Sequence, residues 1–209
     1  ASNPLHEIQV LSPTRKGQLG VNALNLRLQE ALNPKAPDKA EFEFNETIFR
    51  EGDKVMQIKN NYRMDWMRIK SGGIPELGSG VYNGDLGTIF KLDKQNEMLD
   101  VLFDDERMAT YPFNNLEELE LAYCISIHKS QGSEFPIVVL PLFSGPPMLL
   151  TRNLLYTAVT RARAQVVIVG KWACVYQMVE NKRMRKRYSS LYLRLDELAP
   201  EYLVKKSCK

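Results

Sequence analysis

Residues 121–142, LAYCISIHKSQGSEFPIVVLPL, decide the predicted fold. The stretch begins with an apolar run typical of a buried strand, passes through a polar turn, and enters a second apolar run at residues 137–142. The second run is rich in branched residues and too short to cross a membrane. Ligands bind at the carboxyl ends of strands in parallel sheets, so the order strand, polar loop, strand predicts a binding site in this loop.

The loop itself, residues 126–134, is unusually rich in chemistry. It carries a hydroxyl, an imidazole, an ammonium, an amide, a glycine and a carboxylate within nine positions. Gly132 permits a close approach of backbone to ligand that a side chain would block. So many functional groups within nine residues indicate a functional loop rather than a simple surface connection between two strands.

The flanking sequence predicts a parallel α/β domain. A strand at residues 8–11 ends at Ser12 and Pro13, and residues 21–32 show helical spacing with one apolar face. A second helix is predicted to begin after Thr151, whose hydroxyl can cap it, and to carry Arg161 and Arg163 near its C-terminal end. The apolar run 166–169 predicts another buried strand, ended by Gly170, and residues 172–179 predict a short helix. Strands alternating with helices are the unit of a parallel sheet.

The middle of the chain follows a different pattern. Helical periodicity disappears, and short β-like runs lie between turn residues at 54–58, 87–92, 98–103 and 108–111. This predicts a small antiparallel barrel inserted into the α/β domain. The glycine-rich residues 65–80 are predicted to form a long mobile loop within it. The predicted division is an α/β domain at 1–45 and 119–209, interrupted by the barrel at 46–118.

Composition limits the possible settings. The formal charge of +3 is too small to indicate by itself that the chain binds nucleic acid. No apolar run is long enough to cross a membrane. The three cysteines are scattered, which predicts a reducing cytoplasm and no metal site within the chain. The polar, Met-less start predicts that the chain begins inside a longer protein. The cationic residues 182–187 could contact phosphates or be a solvated helix end, and both interpretations stay open.

Three short motifs resemble those of one known family. SIHKSQGSE (126–134), LYTAVTRAR (155–163) and LSPTRKG (11–17) resemble motifs V, VI and IV of superfamily 1 DNA helicases, in the form of the RecD-like branch. The resemblance implies a RecA-like parallel sheet with flanking helices, domain 2A, interrupted by an SH3-like antiparallel β-barrel, domain 2B. GDKVMQ (52–57) and YNGDLG (82–87) resemble the signature of that barrel. The resemblance implies that this barrel lies beside the single strand of DNA as it leaves the helicase.

The resemblance also implies residue roles. Arg161 takes the position of the arginine finger in motif VI and is preferred to Arg163, while Arg15, with Lys16 as a weaker rival, is the second candidate for the γ-phosphate. The residues implied to face the nucleotide are Gly132, Glu134 and Gln131. Those implied to face single-stranded DNA are Ser126, His128 and Lys129, although Lys129 could equally be solvated.

Two parts of such a motor are missing from the sequence. There is no Gly-x-x-x-x-Gly-Lys-Ser/Thr phosphate loop and no plausible acidic strand end to hold magnesium. The chain is therefore predicted to be the second motor domain alone, inactive by itself, and to act on ATP and Mg²⁺ with the N-terminal motor domain of the same protein. The implied activity is 5′ to 3′ translocation on single-stranded DNA. The parent protein could be a stand-alone helicase, a multisubunit nuclease or a conjugative relaxase, and other nuclease or helicase subunits are possible partners. The alternative is a non-catalytic nucleic-acid- or protein-binding adaptor that keeps the fold.

Overall fold

The computed structural model describes residues 7–69, 73, 75–143, 145–182, 190 and 194–195. Three helices and thirteen strands are assigned within these residues. The helices are α1 (Val21–Leu32), α2 (Arg152–Val159) and α3 (Trp172–Glu180), with a 3₁₀ helix at Phe113–Glu118. The strands are β1 (Ile8–Ser12), β2 (Glu41–Phe44), β3 (Thr47–Arg50), β4 (Lys54–Gln57), β5 (Asn61–Ile69), β6 (Pro75–Val81), β7 (Leu86–Asp93), β8 (Met98–Phe103), β9 (Met108–Pro112), β10 (Leu119–Leu121), β11 (Cys124–Ser126), β12 (Phe135–Leu142) and β13 (Ala162–Gly170).

A four-stranded parallel sheet forms the α/β part of the molecule. Its order is β11-β1-β12-β13, and each neighbouring pair is parallel. Leu11, Val138 and Leu140 are fully buried in its core, where Leu154 and Ala158 of α2 join them. This confirms the predicted parallel sheet with flanking helices.

Strand β13 differs from its prediction. Its apolar run is typical of a strand covered on both faces, but Ile168 and Val169 are 37% and 46% exposed. β13 lies at the edge of the sheet, and among the described residues no strand pairs with its outer side. The sequence of a strand does not say whether it is central or at an edge.

The second sheet is antiparallel, as predicted for the insert. Its seven strands follow the order β10-β4-β7-β8-β9-β5-β6, and β2 and β3 form a separate hairpin. Val55, Ile89, Leu99, Val101 and Tyr111 are each at most 1% exposed and centre its core. The boundaries at 46 and 118 stay predictions: β2 begins at Glu41, and β10 ends at Leu121.

The predicted mobile loop at 65–80 is wrong. The described residues there belong mainly to β5 and β6, which pair as an antiparallel hairpin. Gly78 faces Trp66 across the pair, and a Cβ at Gly78 would lie 2.3 Å from the indole ring. Glycine is therefore needed there to let a large ring lie against the neighbouring strand, and not to make the chain mobile.

A buried carboxyl joins the two parts of the fold. Asp53 is fully buried and accepts hydrogen bonds from Gln29 of α1, Asn33 at its end, Tyr123 before β11, and the Arg50 backbone. Burial raises the pKa of Asp53, and these hydrogen bonds oppose that rise only in part. Helix α1, the antiparallel sheet and the start of β11 are thus fixed to one polar centre.

The end of the chain carries predictions that the structure does not reach. Beyond Lys182, the cationic run lies outside the described residues. No helix among the described residues has the length and apolar character needed to cross a bilayer.

Candidate functional site

The loop between β11 and β12 runs from the end of the parallel sheet where the strands finish, the carboxyl edge, to the end where they begin, the amino edge. β11 ends at the carboxyl edge with Ser126, whereas β12 begins at the amino edge with Phe135, and β1 lies between the two strands. Ser126 pairs with Ser12, and Val10 pairs with Val139, so Ser126 lies level with Pro141. Pro141 is six residues from Phe135, which separates the two ends of the loop by about 20 Å along the strands.

Hydrogen bonds inside the loop fold it into tight turns. The Ser130 side chain is fully buried, and its hydroxyl donates to the Ile127 carbonyl at 2.8 Å. The backbone amides of Lys129 and Ser130 donate to the Ser126 carbonyl at 2.9 and 3.2 Å. Gly132 has φ +92°, and a Cβ at this position would have no described atom within 4 Å. The positive φ by itself favours glycine here, and the open space beside it leaves the predicted close approach of a ligand as a prediction.

Arg161 and Arg163 lie after helix α2 and not on it, which corrects the predicted placement. The helix is capped by Thr151 as predicted, but it ends at Val159. Arg161 sits in the turn that follows, and Arg163 belongs to β13. The chain leaves the helix because β13 pairs with β12 from its first residue, and the Phe135 amide donates to the Arg161 carbonyl at 2.8 Å.

The amino edge brings together the two arginines and the end of the loop. One Arg161 nitrogen donates to the Ser133 carbonyl at 3.1 Å, and another donates to the Thr160 hydroxyl at 3.4 Å. Arg161 Nε is buried with no hydrogen-bond partner among the described residues. Arg163 donates to the Glu134 carboxylate at 3.0 Å, and both side chains are exposed. The amino-edge group therefore comprises Ser133, Glu134, Arg161 and Arg163.

The chemistry of this group suits an anion better than a metal ion. Arg161 offers phosphate oxygens a guanidinium whose Nε has no partner among the described residues, whereas Arg163 is already paired with Glu134. No cluster of three metal-ligating side chains occurs among the described residues, so they offer no complete Mg²⁺ site.

The carboxyl edge brings together the residues predicted to face DNA. Ser126 is half-buried at the end of β11, His128 is exposed, and Lys129 follows in the first turn of the loop. Lys129 Nζ lies 2.9 Å from one carboxylate oxygen of Glu120, and Arg15 lies 2.8 Å from the other. We call Arg15, Glu120 and Lys129 the carboxyl-edge cluster.

Glu120 is the site residue that the sequence did not reveal. It lies on β10 of the antiparallel sheet, among several glutamates with no distinguishing pattern. Burial would raise its pKa, but hydrogen bonds from Lys129 and Arg15 outweigh burial and lower it below the usual value. The carboxylate therefore stays charged at neutral pH.

The structure does not bring Arg15 and Arg161 together. Arg15 follows the carboxyl end of β1, whereas Arg161 precedes the amino end of β13. The two backbones lie at opposite edges of the sheet, about 20 Å apart along the strands, and Arg15 is paired with Glu120. Gln131, predicted to face the nucleotide, is exposed in the turn between the two edges. This placement does not favour a shared γ-phosphate for the two arginines.

Comparisons with known proteins agree with this architecture. Residues 24–103 match the family model of the ATP-dependent RecD-like DNA helicase SH3 domain, and residues 121–169 match that of the UvrD-like helicase C-terminal domain. The ATP-dependent RecD2 DNA helicase of Deinococcus radiodurans is 31% identical over 188 residues, covering 90% of this chain and 23% of that protein. The RecBCD enzyme subunit RecD of Mycolicibacterium smegmatis is 31% identical over 184 residues, 87% of this chain and 28% of that protein.

The fold also has a counterpart among solved structures. The Bacteroides Pif1 helicase in complex with ADP-AlF3 and ssDNA superposes with a TM-score of 0.51 at 17% identity, covering 94% of this chain and 46% of that one. The chain spans about a quarter of the length of the two curated relatives above. Its motifs, its two matched domains and its fold agree, and the chain belongs to the RecD-like family of superfamily 1 DNA helicases.

Proposed function

We propose that this chain is the second motor domain, 2A with its inserted 2B barrel, of an ATP-dependent 5′ to 3′ DNA helicase. One observation supports the proposal: a single loop connects the amino-edge group of the sheet to the carboxyl edge, where the residues predicted to face DNA lie. A motor must couple nucleotide hydrolysis to its grip on DNA, and a short folded segment between two sites provides that coupling.

At the amino edge, Arg161 acts as the arginine finger. The N-terminal motor domain of the same protein holds ATP and Mg²⁺, which supply the transferable phosphoryl group and neutralise part of its charge. Arg161 approaches from across the cleft and stabilises the charge that develops on the γ-phosphate. The Ser133 carbonyl orients the guanidinium, and its Nε, which has no hydrogen-bond partner in the described part of the chain, can donate to the nucleotide. Glu134 leaves its exposed ion pair with Arg163 and accepts hydrogen bonds from the ribose hydroxyls of the nucleotide instead.

At the carboxyl edge, the chain holds single-stranded DNA. Ser126, His128 and Lys129 offer a hydroxyl, an imidazole and an ammonium to backbone phosphates, which fixes position without reading sequence. The parent protein works in the cytoplasm, alone or with other nuclease and helicase subunits. The relative named as a RecBCD enzyme subunit supports that last possibility.

The decisive experiment substitutes Arg161→Ala in the full-length parent protein. ATP hydrolysis should fall on the order of 10³-fold, the effect typical of a lost arginine finger. The dissociation constant for a single-stranded oligonucleotide should change less than about twofold, because Arg161 lies at the other edge of the sheet. Arg161→Lys should not restore hydrolysis, since an ammonium lacks the fork of donors.

Arg163→Ala is the matched control. It removes the same charge two residues away, from an exposed pair that contributes little, and should retain most of the activity. Undiminished ATP hydrolysis in Arg161→Ala would reject the arginine finger. A full-length wild-type protein that binds nucleic acid or protein but hydrolyses no ATP would instead establish the adaptor. Unwinding of substrates with a 5′ tail but not a 3′ tail tests the polarity.

A further inference from the structure

Two cations from separate loops converge on one carboxylate at the carboxyl edge. Arg15 comes from the loop after β1, Lys129 from the loop after β11, and Glu120 from the antiparallel sheet. β1 and β11 are neighbours, with Ser12 paired to Ser126, so the two loops leave the sheet side by side. Each cation contacts a different oxygen of Glu120, at 2.8 and 2.9 Å.

The carboxylate holds the position that a phosphate would take. Two oxygens of one anion, each bound by a different cation, is the arrangement that a DNA backbone phosphate also offers. The cluster retains one net positive charge, because two cations face one anion. The side chains of Arg15, Glu120 and Lys129 are 53%, 32% and 26% exposed, so an incoming anion can reach them.

The neighbouring surface has room for part of a nucleotide. A cleft of about 370 Å³ adjoins Arg15 and Glu120 and extends along the start of α1 to the β2–β3 turn, with Asn22, Asn25 and Glu46 in its lining.

We propose that Arg15 and Lys129 form a binding site for a backbone phosphate of single-stranded DNA, and that Glu120 occupies this site when DNA is absent. The inference rests on the proposed function and extends it, because it moves Arg15 from the nucleotide to the DNA. Glu120 competes with DNA: a phosphate takes over both cations, and the carboxylate turns into solvent. Both ion pairs are partly open to solvent, which screens them, and the phosphate replaces the carboxylate with the same sign of charge, so this exchange costs little. It makes DNA release easier than a permanently open cationic site would.

The test measures binding of a labelled single-stranded oligonucleotide to the full-length protein at several salt concentrations. Glu120→Gln should lower the dissociation constant by about three- to tenfold at low salt, because the competing anion is gone. Arg15→Gln and Lys129→Gln should weaken binding, and each should reduce the slope of log K against log salt by about 0.7, the value for one phosphate contact on a single strand.

Two controls separate competition from general charge. Glu117→Gln removes the same charge from an exposed pair with Lys59, three residues away, and should leave the affinity within about twofold of wild type. In an Arg15→Gln/Lys129→Gln background, Glu120→Gln should have no further effect, since there is nothing left to release.

The outcomes are distinguishable. Wild-type affinity in Glu120→Gln, or a gain that persists without both cations, overturns the competition while leaving the helicase assignment intact. An unchanged salt slope in Arg15→Gln removes Arg15 from the DNA site. A wild-type protein that binds no single-stranded DNA at any salt concentration overturns both this inference and the proposed function.

Discussion

Lys54 is a charged residue in an environment that disfavours its charge. It is 4% exposed at the start of β4, and its ammonium lies 3.4 Å from the Ile8 carbonyl, where the two sheets meet. Burial lowers the pKa of Lys54 to about 8, although the negative charge of Asp104 opposes the shift. The stability of the fold should therefore depend on the protonation of this single side chain.

We predict a pH-dependent difference between wild type and Lys54→Met. The folded-state pKa lies below the unfolded value, so the unfolded chain binds more protons from about pH 8 to 10.4, and this contribution to stability rises with pH. The free energy of unfolding of wild type relative to Lys54→Met should increase by about 1 kcal/mol between pH 7 and pH 9. Urea denaturation at both pH values measures it.

The prediction compares wild type with Lys54→Met because other groups also titrate at alkaline pH. Burial raises the pKa values of Tyr111, Tyr123 and Cys124, so their contribution to stability falls at alkaline pH in both proteins. That decrease cancels when the variant is subtracted. Equal pH dependence in the two proteins would show that Lys54 keeps its proton in the fold.

At the scale of single elements, helix α2 begins where its cap dictates. The Thr151 hydroxyl accepts from the Leu154 amide at 3.3 Å, which satisfies one of the free amides of the first turn. Thr151→Ala should lower the free energy of unfolding by about 1 kcal/mol, and Thr151→Ser should retain most of it. Chemical denaturation of the three proteins gives the values.

Thr157→Ala is the control for this helix. Thr157 is half-buried, and its hydroxyl only bonds back to the Asn153 carbonyl within the helix. Replacing it with the better helix former should change stability by less than about 0.5 kcal/mol. Equal losses in Thr151→Ala and Thr157→Ala would remove the cap as the explanation.

Local patterns predicted the elements that depend on local physics. The 3.6-residue periodicity and the Asn33-Pro34 stop correspond to α1, and the Thr151 cap corresponds to the start of α2. Sequence could not place β13 at an edge, because edge position depends on the partners of a strand. Nor could it distinguish the β5–β6 hairpin from a loop, since the partner that requires Gly78 is Trp66 of the other strand.

The candidate site was predictable in content but not in arrangement. The motif resemblance selected the loop and the arginines, and the structure divides them between the two edges of the parallel sheet. The motif resemblance could not show that the loop crosses the sheet, because strand order and parallel register are set by long-range pairing. Glu120 was missed for the same reason: it meets Arg15 and Lys129 only after the antiparallel sheet folds beside the parallel one.

At the scale of the whole molecule, residues 127–134 connect the amino-edge group to the carboxyl-edge cluster. The Arg161 end of this loop is held by the Ser133 carbonyl, and the Lys129 end is held by Glu120. Between them, the buried Ser130 hydroxyl closes the first turn on the Ile127 carbonyl at 2.8 Å. Ser130 touches neither proposed ligand, so its contribution is to the stiffness of the connection.

We therefore predict that Ser130→Ala in the full-length protein uncouples the two sites. Without its hydrogen bond, the first turn adopts more conformations, and a shift caused by DNA at Lys129 is transmitted less completely to Arg161. Stimulation of ATP hydrolysis by single-stranded DNA should fall by about fivefold, at the lower end of typical coupling energies. Basal hydrolysis and DNA affinity should each change less than about twofold, because the contacting side chains remain. Ser79→Ala, at an exposed position on β6, should retain full stimulation. Full stimulation in Ser130→Ala would show that the signal travels between the edges by another path, whereas a matching loss of DNA affinity would identify Ser130 as part of the binding site itself.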